Sequence, residues 1–106
     1  MFARTVSIQL KASSAAEFTK VLESEIIPLL RKQKGFQDEI TLLAPGGKQV
    51  VAISFWDQKE SADAYERGTY PQVQKALAKV VEGTPKVESY EVSNSTAHKI
   101  AARIAA

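Results

Sequence analysis

The sequence predicts an α+β chain with the element order β-α-β-β-α-β, and three observations carry that expectation. Residues 3–11 alternate, with Val6, Ile8 and Leu10 on one face and Thr5, Ser7 and Gln9 on the other, which is the period of a strand. The stretches after Ser14, Asp57 and Thr69 instead space their apolar residues three and four apart, the period of amphipathic helices. Between them runs Val50-Val51-Ala52-Ile53-Ser54-Phe55-Trp56, rich in β-branched and aromatic residues. Both parities of this run are apolar: Val51, Ile53 and Phe55 on one side, Val50, Ala52 and Trp56 on the other. A strand that buries both faces belongs in the middle of a sheet.

Taken in order, the strand over 3–11 stops at Ser13-Ser14. Ser14 and Glu17 have the spacing of a capping box and open a helix over 14–33. Its stripe is Phe18, Val21, Leu22, Ile26, Leu29 and Leu30. Pro28 lacks an N–H and should bend this helix near Ser24. Arg31-Lys32-Gln33-Lys34 reads as cations at the helix C-terminus rather than a phosphate site, and Gly35 as the left-handed cap. Phe36–Leu43 is the second strand, with Ile40 and Leu42 expected inward. Ala44-Pro45-Gly46-Gly47-Lys48 is hairpin chemistry; as a phosphate loop it lacks a following helix and a Walker pattern.

The third strand is Lys48–Trp56, and Asp57 with Glu60 reads as an acidic capping box for a helix over 58–67. Ala62 and Tyr65 point that helix to the core, and Gly68 breaks it. Thr69 and Pro71 start a further helix with the stripe Val73, Ala76, Leu77 and Val80, which Gly83 and Pro85 should end. Lys86–Val92 is the fourth strand, with Tyr90 and Val92 on one face and Val87 on the other. Residues 1–92 make one domain and 93–106 a tail. In the tail, Ser95 offers a helix start and Ile100 and Ile104 sit one turn apart, so a short helix docked on a partner chain is expected.

The totals narrow the function. The chain has 106 residues, enough for one modest core, with 44% hydrophobic and 25% charged residues, as in globular proteins. A net charge of +2 gives no argument for nucleic acid or an anionic membrane. No cysteine is present, which excludes disulfides, thiolate metal sites and cysteine nucleophiles. A lone His98 with scattered carboxylates is no metal site. No apolar run approaches the ~20 residues that span a bilayer, and no signal peptide is visible, so a cytoplasmic protein is expected.

The element order is the ferredoxin-like one, a four-stranded antiparallel sheet. Right-handed crossovers place all helices on one face, with strands one and three central. The other face would leave the apolar parity of strand three wet. A second copy of the sheet is the economical cover, so a homodimer is expected.

Three segments carry a resemblance: Ile53-Ser54-Phe55-Trp56-Asp57, Ala62-Asp63-Ala64-Tyr65, and Pro28-Leu29-Leu30-Arg31-Lys32-Gln33-Lys34-Gly35-Phe36. Over residues 3–92 the chain resembles the antibiotic biosynthesis monooxygenase domain of the dimeric α+β barrel superfamily. The resemblance implies a pocket between sheet and helices, and cofactor-free oxygenation of an aromatic or polyketide-like molecule. In such chemistry the substrate supplies the electrons, and the protein supplies a dry pocket and an orienting group. Trp56 matches the family's Trp at the end of the third strand and is either a pocket wall or a core residue. Tyr65 and Tyr70 are candidate hydroxyl donors at the pocket, and Ser7 is the candidate polar group from the first strand.

The departures are as informative. Quinone-forming relatives carry an Asn four positions before that Trp, where this chain has Ala52. Haem-degrading relatives use an Asn on the first strand and a His on the second helical segment. Here the only Asn is Asn94 and the only His is His98, both in the tail, so haem ligation is not expected and no cofactor is implied. His98 is read as a packed or exposed tail residue rather than a base, and Asp38, Glu39, Glu88 and Glu91 as solvated strand carboxylates. Two functions are carried forward: a cofactor-independent monooxygenase, and a non-catalytic dimer that binds a hydrophobic small molecule. No catalytic residue is assigned.

Overall fold

The computed structural model describes residues 1–98. Its elements are β1 (Phe2–Leu10), α1 (Ala15–Val21), a π-helical turn (Leu22–Ile26), α2 (Ile27–Arg31), β2 (Phe36–Leu43), β3 (Gln49–Trp56), α3 (Lys59–Gly68), α4 (Tyr70–Leu77) and β4 (Val81–Glu91). The four strands form one antiparallel sheet in the order β2-β3-β1-β4, so strands one and three are central as their apolar patterns require.

Register sorts the side chains into two faces. Val50, Ser54 and Trp56 of β3 and Arg4, Val6, Ile8 and Leu10 of β1 are buried under the helices, against Phe18, Leu22, Ile26, Leu30, Tyr65 and Val73. Val50, Trp56 and Val80 have no exposed surface. The other face carries three cross-strand rows: Asp38, Phe55, Ala3 and Tyr90; Ile40, Ile53, Thr5 and Glu88; Leu42, Val51, Ser7 and Lys86. In the second and third rows it is apolar on β2 and β3 and polar on β1 and β4. Ile40 and Leu42, expected inward, lie here and are 42% and 52% exposed. They pair with Ile53 and Val51, so they share the parity of β3 that the helices do not cover.

The long first helix is interrupted where Pro28 demands it. Pro28 has no N–H to donate, and the Ile27 N–H reaches back five residues to the Leu22 carbonyl. The expected bend near Ser24 therefore takes the form of a π-helical turn. Gly35 has φ +83°, the left-handed cap its type suggests.

Neither expected capping box forms. Ser14 makes no side-chain cap bond; its hydroxyl donates to the Ala12 carbonyl at 3.5 Å. Gln58, in extended backbone, is the N-cap of α3, while the Asp57 N–H donates to the Gly35 carbonyl at 2.8 Å. Thr69 does precede α4, but its hydroxyl donates to Gln33 Oε1 at 3.1 Å, tying that turn to the end of the first helical layer.

The fourth strand begins earlier than expected, at Val81 rather than Lys86. Gly83 and Pro85 lie inside it, not at a helix end. Between the pairs Ser7–Lys86 and Gln9–Glu82 the register shifts, and Gly83 has φ +74°, as a bulge allows. Pro85 is tolerated because β4 is an edge strand.

After β4, the Val92 N–H donates to the Met1 carbonyl at 2.9 Å, and the His98 N–H donates to Ser95 Oγ at 3.1 Å. The His98 ring lies 5.3 Å from that of Phe55, on the chain's own uncovered sheet face, with Nε2 3.5 Å from Asp38 Oδ2. The expected helix around Ile100 and Ile104 lies outside the described residues.

Candidate ligand site between sheet and helices

The alternation of β1 puts Arg4 in the same row as Val6, Ile8 and Leu10, so a cation enters the helix-covered core. Arg4 is only 3% exposed. Its guanidinium carbon lies 4.1 Å from the ring centre of Tyr70 and 5.4 Å from that of Tyr65, within cation–π range. One amino group, Nη2, contacts Glu66 Oε1 at 3.5 Å, a long contact to a carboxylate that is half exposed. The Nε–H has no partner.

Arg4 lines a narrow slot of about 50 Å³. Val6, Ile8, Ala52 and Ser54 line it from the sheet, Phe18, Leu22 and Ile26 from the first helical layer, and Tyr65, Tyr70 and Val73 from α3 and α4. Small-molecule sites commonly offer roughly 300–1,000 Å³. The slot as it stands holds no more than a few small atoms. Two of its lining residues, Leu22 and Ile26, belong to the π-helical turn.

Glu39 also lines the slot. It is half buried rather than solvated, and burial raises its carboxyl above the usual range against the lowering effect of a hydrogen bond from the Thr41 hydroxyl. Burial pushes the Tyr65 phenol up to about 12, so Tyr65 keeps its proton at neutral pH.

Of the residues singled out from sequence, Tyr65 and Tyr70 line the slot together, their ring centres 6.2 Å apart. Trp56 stands outside the slot's lining. It is wholly buried, donates from Nε1 to Ser54 Oγ at 2.9 Å, and packs 5.0 Å from Tyr65 and edge-on 5.6 Å from Phe36. Ser7 lies on the uncovered face between Val51 and Lys86, so the polar group that β1 brings to the slot is Arg4. His98 is on that same far face and does not reach the slot. Among the described residues no three His, Cys, Asp or Glu side chains converge as metal ligands, and no helix is long and apolar enough to cross a membrane.

No protein-family profile matches the chain, and no curated protein does. Solved structures do. The ActVA-Orf6 monooxygenase of Streptomyces coelicolor, in complex with nanaomycin D, superimposes with a TM-score of 0.76 at 14% identity, over 89% of this chain and 88% of that one. A Deinococcus radiodurans protein that carries the antibiotic biosynthesis monooxygenase name gives 0.73 at 17% identity, over 90% of this chain and 95% of that one. The fold is that of the antibiotic biosynthesis monooxygenases. SnoaB, a cofactor-independent oxygenase of Streptomyces nogalater, shares it with a TM-score of 0.73 at 16% identity, over 90% of this chain and 95% of that one. The antibiotic biosynthesis monooxygenase fold thus accounts for element order, sheet order and the helix-covered face.

Proposed function

We propose that the chain oxygenates a flat hydrophobic molecule with dioxygen, in the slot between sheet and helices and without a resident cofactor. The observation that carries this reading is the apolar slot with its buried Arg4, Tyr65 and Tyr70, in the fold shared with a cofactor-independent oxygenase. The reaction balances without an external reductant. A ring CH₂ of the substrate loses two hydrogens and gains one oxygen as a carbonyl, and the second oxygen leaves as water. The substrate supplies all the electrons. The chain's part is to exclude water, orient the ring and stabilise negative charge as it develops. Arg4 is the cation for that charge, and protonated Tyr65 a neutral donor beside it. Oxygen uptake without added cofactor, measured over a panel of anthrones, whose ring CH₂ is the group oxidised, tests the reading. Uptake that falls at least tenfold on Tyr65→Phe or Arg4→Met supports it, since each such donor contributes on the order of 1.5–3 kcal/mol. No uptake with any member of the panel refutes it.

The slot's volume of about 50 Å³ favours a second reading, a binding protein that opens for a hydrophobic ligand and performs no chemistry. Ligand-induced stabilisation with no product formed would support that outcome.

We also infer a homodimer whose sheets face each other. The support is the sheet face that the helices do not cover, where Ile40, Leu42 and Tyr90 are each more than two-fifths exposed beside Ile53 and Phe55, and where, among the described residues, the His98 ring lies against Phe55. Its isologous contact would leave the slot, on the opposite face, accessible in both subunits.

A further inference from the structure

We propose that the slot selects a flat aromatic monocarboxylate, whose two oxygens seat on the Nε and Nη2 hydrogens of Arg4. This rests on the slot being the ligand site and adds the class of ligand it takes.

Arg4 is a charge taken out of water with too little in return. Guanidinium carries five donors, and a buried one is ordinarily paired through several of them. Here Nε has no partner, and Nη2 makes only the 3.5 Å contact with Glu66. Glu66 is half exposed, so water screens that pair. Glu39 lines the same slot, but its carboxyl is bonded by the Thr41 hydroxyl and makes no ion pair with Arg4, whose only salt bridge among the described residues is the one to Glu66. Tyr65 stays protonated. No carboxylate that lines the slot is within ion-pair distance of Arg4.

The shape of the missing partner follows from the donors. Nε and Nη2 are the two parallel N–H groups on one edge of the guanidinium plane, a fork that matches the two oxygens of a carboxylate. A single oxygen, as in a phenolate or a ketone, fills only half of it. A phosphate brings a second charge and a third oxygen into a slot that already holds the Glu39 carboxylate and whose walls, apart from Glu39, Ser54 and the two tyrosines, are Val, Ile, Leu, Phe and Ala side chains. The rest of the ligand must be apolar, and the Tyr65 and Tyr70 rings beside the guanidinium suit a flat one. Glu66, being at the surface, can swing into water when the ligand arrives. The present slot is too small for a ring, so Leu22 and Ile26 on the π-helical turn must give way. π-turns of this kind recur at functional sites.

Benzoate and its neutral isostere benzamide are the probes, titrated by calorimetry against the full chain. Benzoate should bind about tenfold or more tighter than benzamide, the worth of a charge-assisted pair of hydrogen bonds. Arg4→Met should abolish the preference while leaving the melting temperature equal or higher, because an apolar chain of similar length replaces an under-compensated charge. Glu66→Gln should tighten benzoate several-fold and leave benzamide unchanged. Should Arg4→Met fail to fold, Arg4→Lys serves instead: a point charge without the fork should retain only part of the preference. Equal affinities for the two probes, no benzoate binding, a preference that survives in Arg4→Met, or Glu66→Gln without effect would each overturn the proposal. Oxygen uptake is measured separately. Arg4-dependent benzoate binding with no uptake over the panel would sink the oxygenase reading and keep this one; uptake without benzoate preference would do the reverse.

Discussion

Trp56 joins three elements at one point. From the end of β3 it packs on Phe36 at the start of β2 and on Tyr65 of α3, and its indole N–H is satisfied by Ser54. Trp56→Ala should therefore cost about 3–5 kcal/mol in urea unfolding, and leave Ser54 without its donor. Tyr65 makes a pH-dependent prediction. Its phenol is raised from 10.0 to about 12 in the folded chain, so the unfolded chain loses that proton first as pH rises. Its contribution is whole below pH 10 and is lost progressively toward pH 12, by roughly 2–3 kcal/mol. Tyr65→Phe should flatten that alkaline fall in stability; an unchanged slope from pH 9 to 12 would refute the assignment. Half of the pocket candidates, Tyr65 and Tyr70, line the slot, while Arg4 went unread and Trp56 and Ser7 lie outside the lining. Tyr65 and Tyr70 fall on buried helical positions, and strand parity alone sets Arg4 in the row of Val6, Ile8 and Leu10. Ser7 belongs to the opposite parity, and its place on the far face follows from the same alternation. Glu39 was not legible, because β2 turns its apolar residues away from the helices and so inverts the usual inference.

At the scale of elements, the turn from α2 into β2 is the most constrained. Gly35 has φ +83°, and an added Cβ would meet Asp57 Oδ1 and Ser61 Oγ and lie 2.7 Å from Ser61 Cβ. Gly46 has φ +101° with nothing within 4 Å. Gly46→Ala should cost only the left-handed strain, about 1–2 kcal/mol. Gly35→Ala should cost clearly more, because the start of α3 must shift as well; equal losses in thermal unfolding would show that the contact relaxes freely. Periodicity placed the helical segments and β1, composition placed β3, and the first five residues of β4 were missed because Gly83 and Pro85 resemble a helix end. The caps failed because Ser, Asp and Glu at capping spacing record an option that tertiary contacts can outbid, as Gly35 does for the Asp57 backbone. The π-turn had a quiet signal. Phe18, Leu22, Ile26 and Leu30 recur every fourth residue, which in an α-helix overshoots a full turn by about 40° each time. A locally wider turn holds that row on one face, beside the slot.

For the whole molecule, the sheet face that the helices leave bare carries the proposed dimer. Sedimentation should report about twice the 11.6 kDa chain mass. Ile53→Glu, in the central row of that face, should give monomers with helical content unchanged. A monomer for the native chain at micromolar concentration would refute the facing-sheet assembly. The two-sided apolar pattern of β3 made the need for a cover readable, whereas the polar grading toward β1 and β4 emerged only once the register paired Thr5 with Glu88 and Ser7 with Lys86.

The position of Pro85 bears on how this chain can go wrong. Sheets grow by adding strands to an edge, and here the two edges are unequal. On β4, Pro85 offers no N–H, Gly83 and its neighbours bulge out of register, and Lys86 adds charge. On β2, Ile40, Leu42 and Leu43 are exposed beside a backbone with no partner on that side among the described residues. Stray pairing is thereby channelled to a single edge. Two chains that met there would join β2 to β2 about a twofold axis, leaving free only the β4 edges, which Pro85 and the bulge at Gly83 make less receptive. Such a contact would tend to stop at two chains; an open-ended fibre needs a second receptive edge, and Pro85 removes a donor from that one.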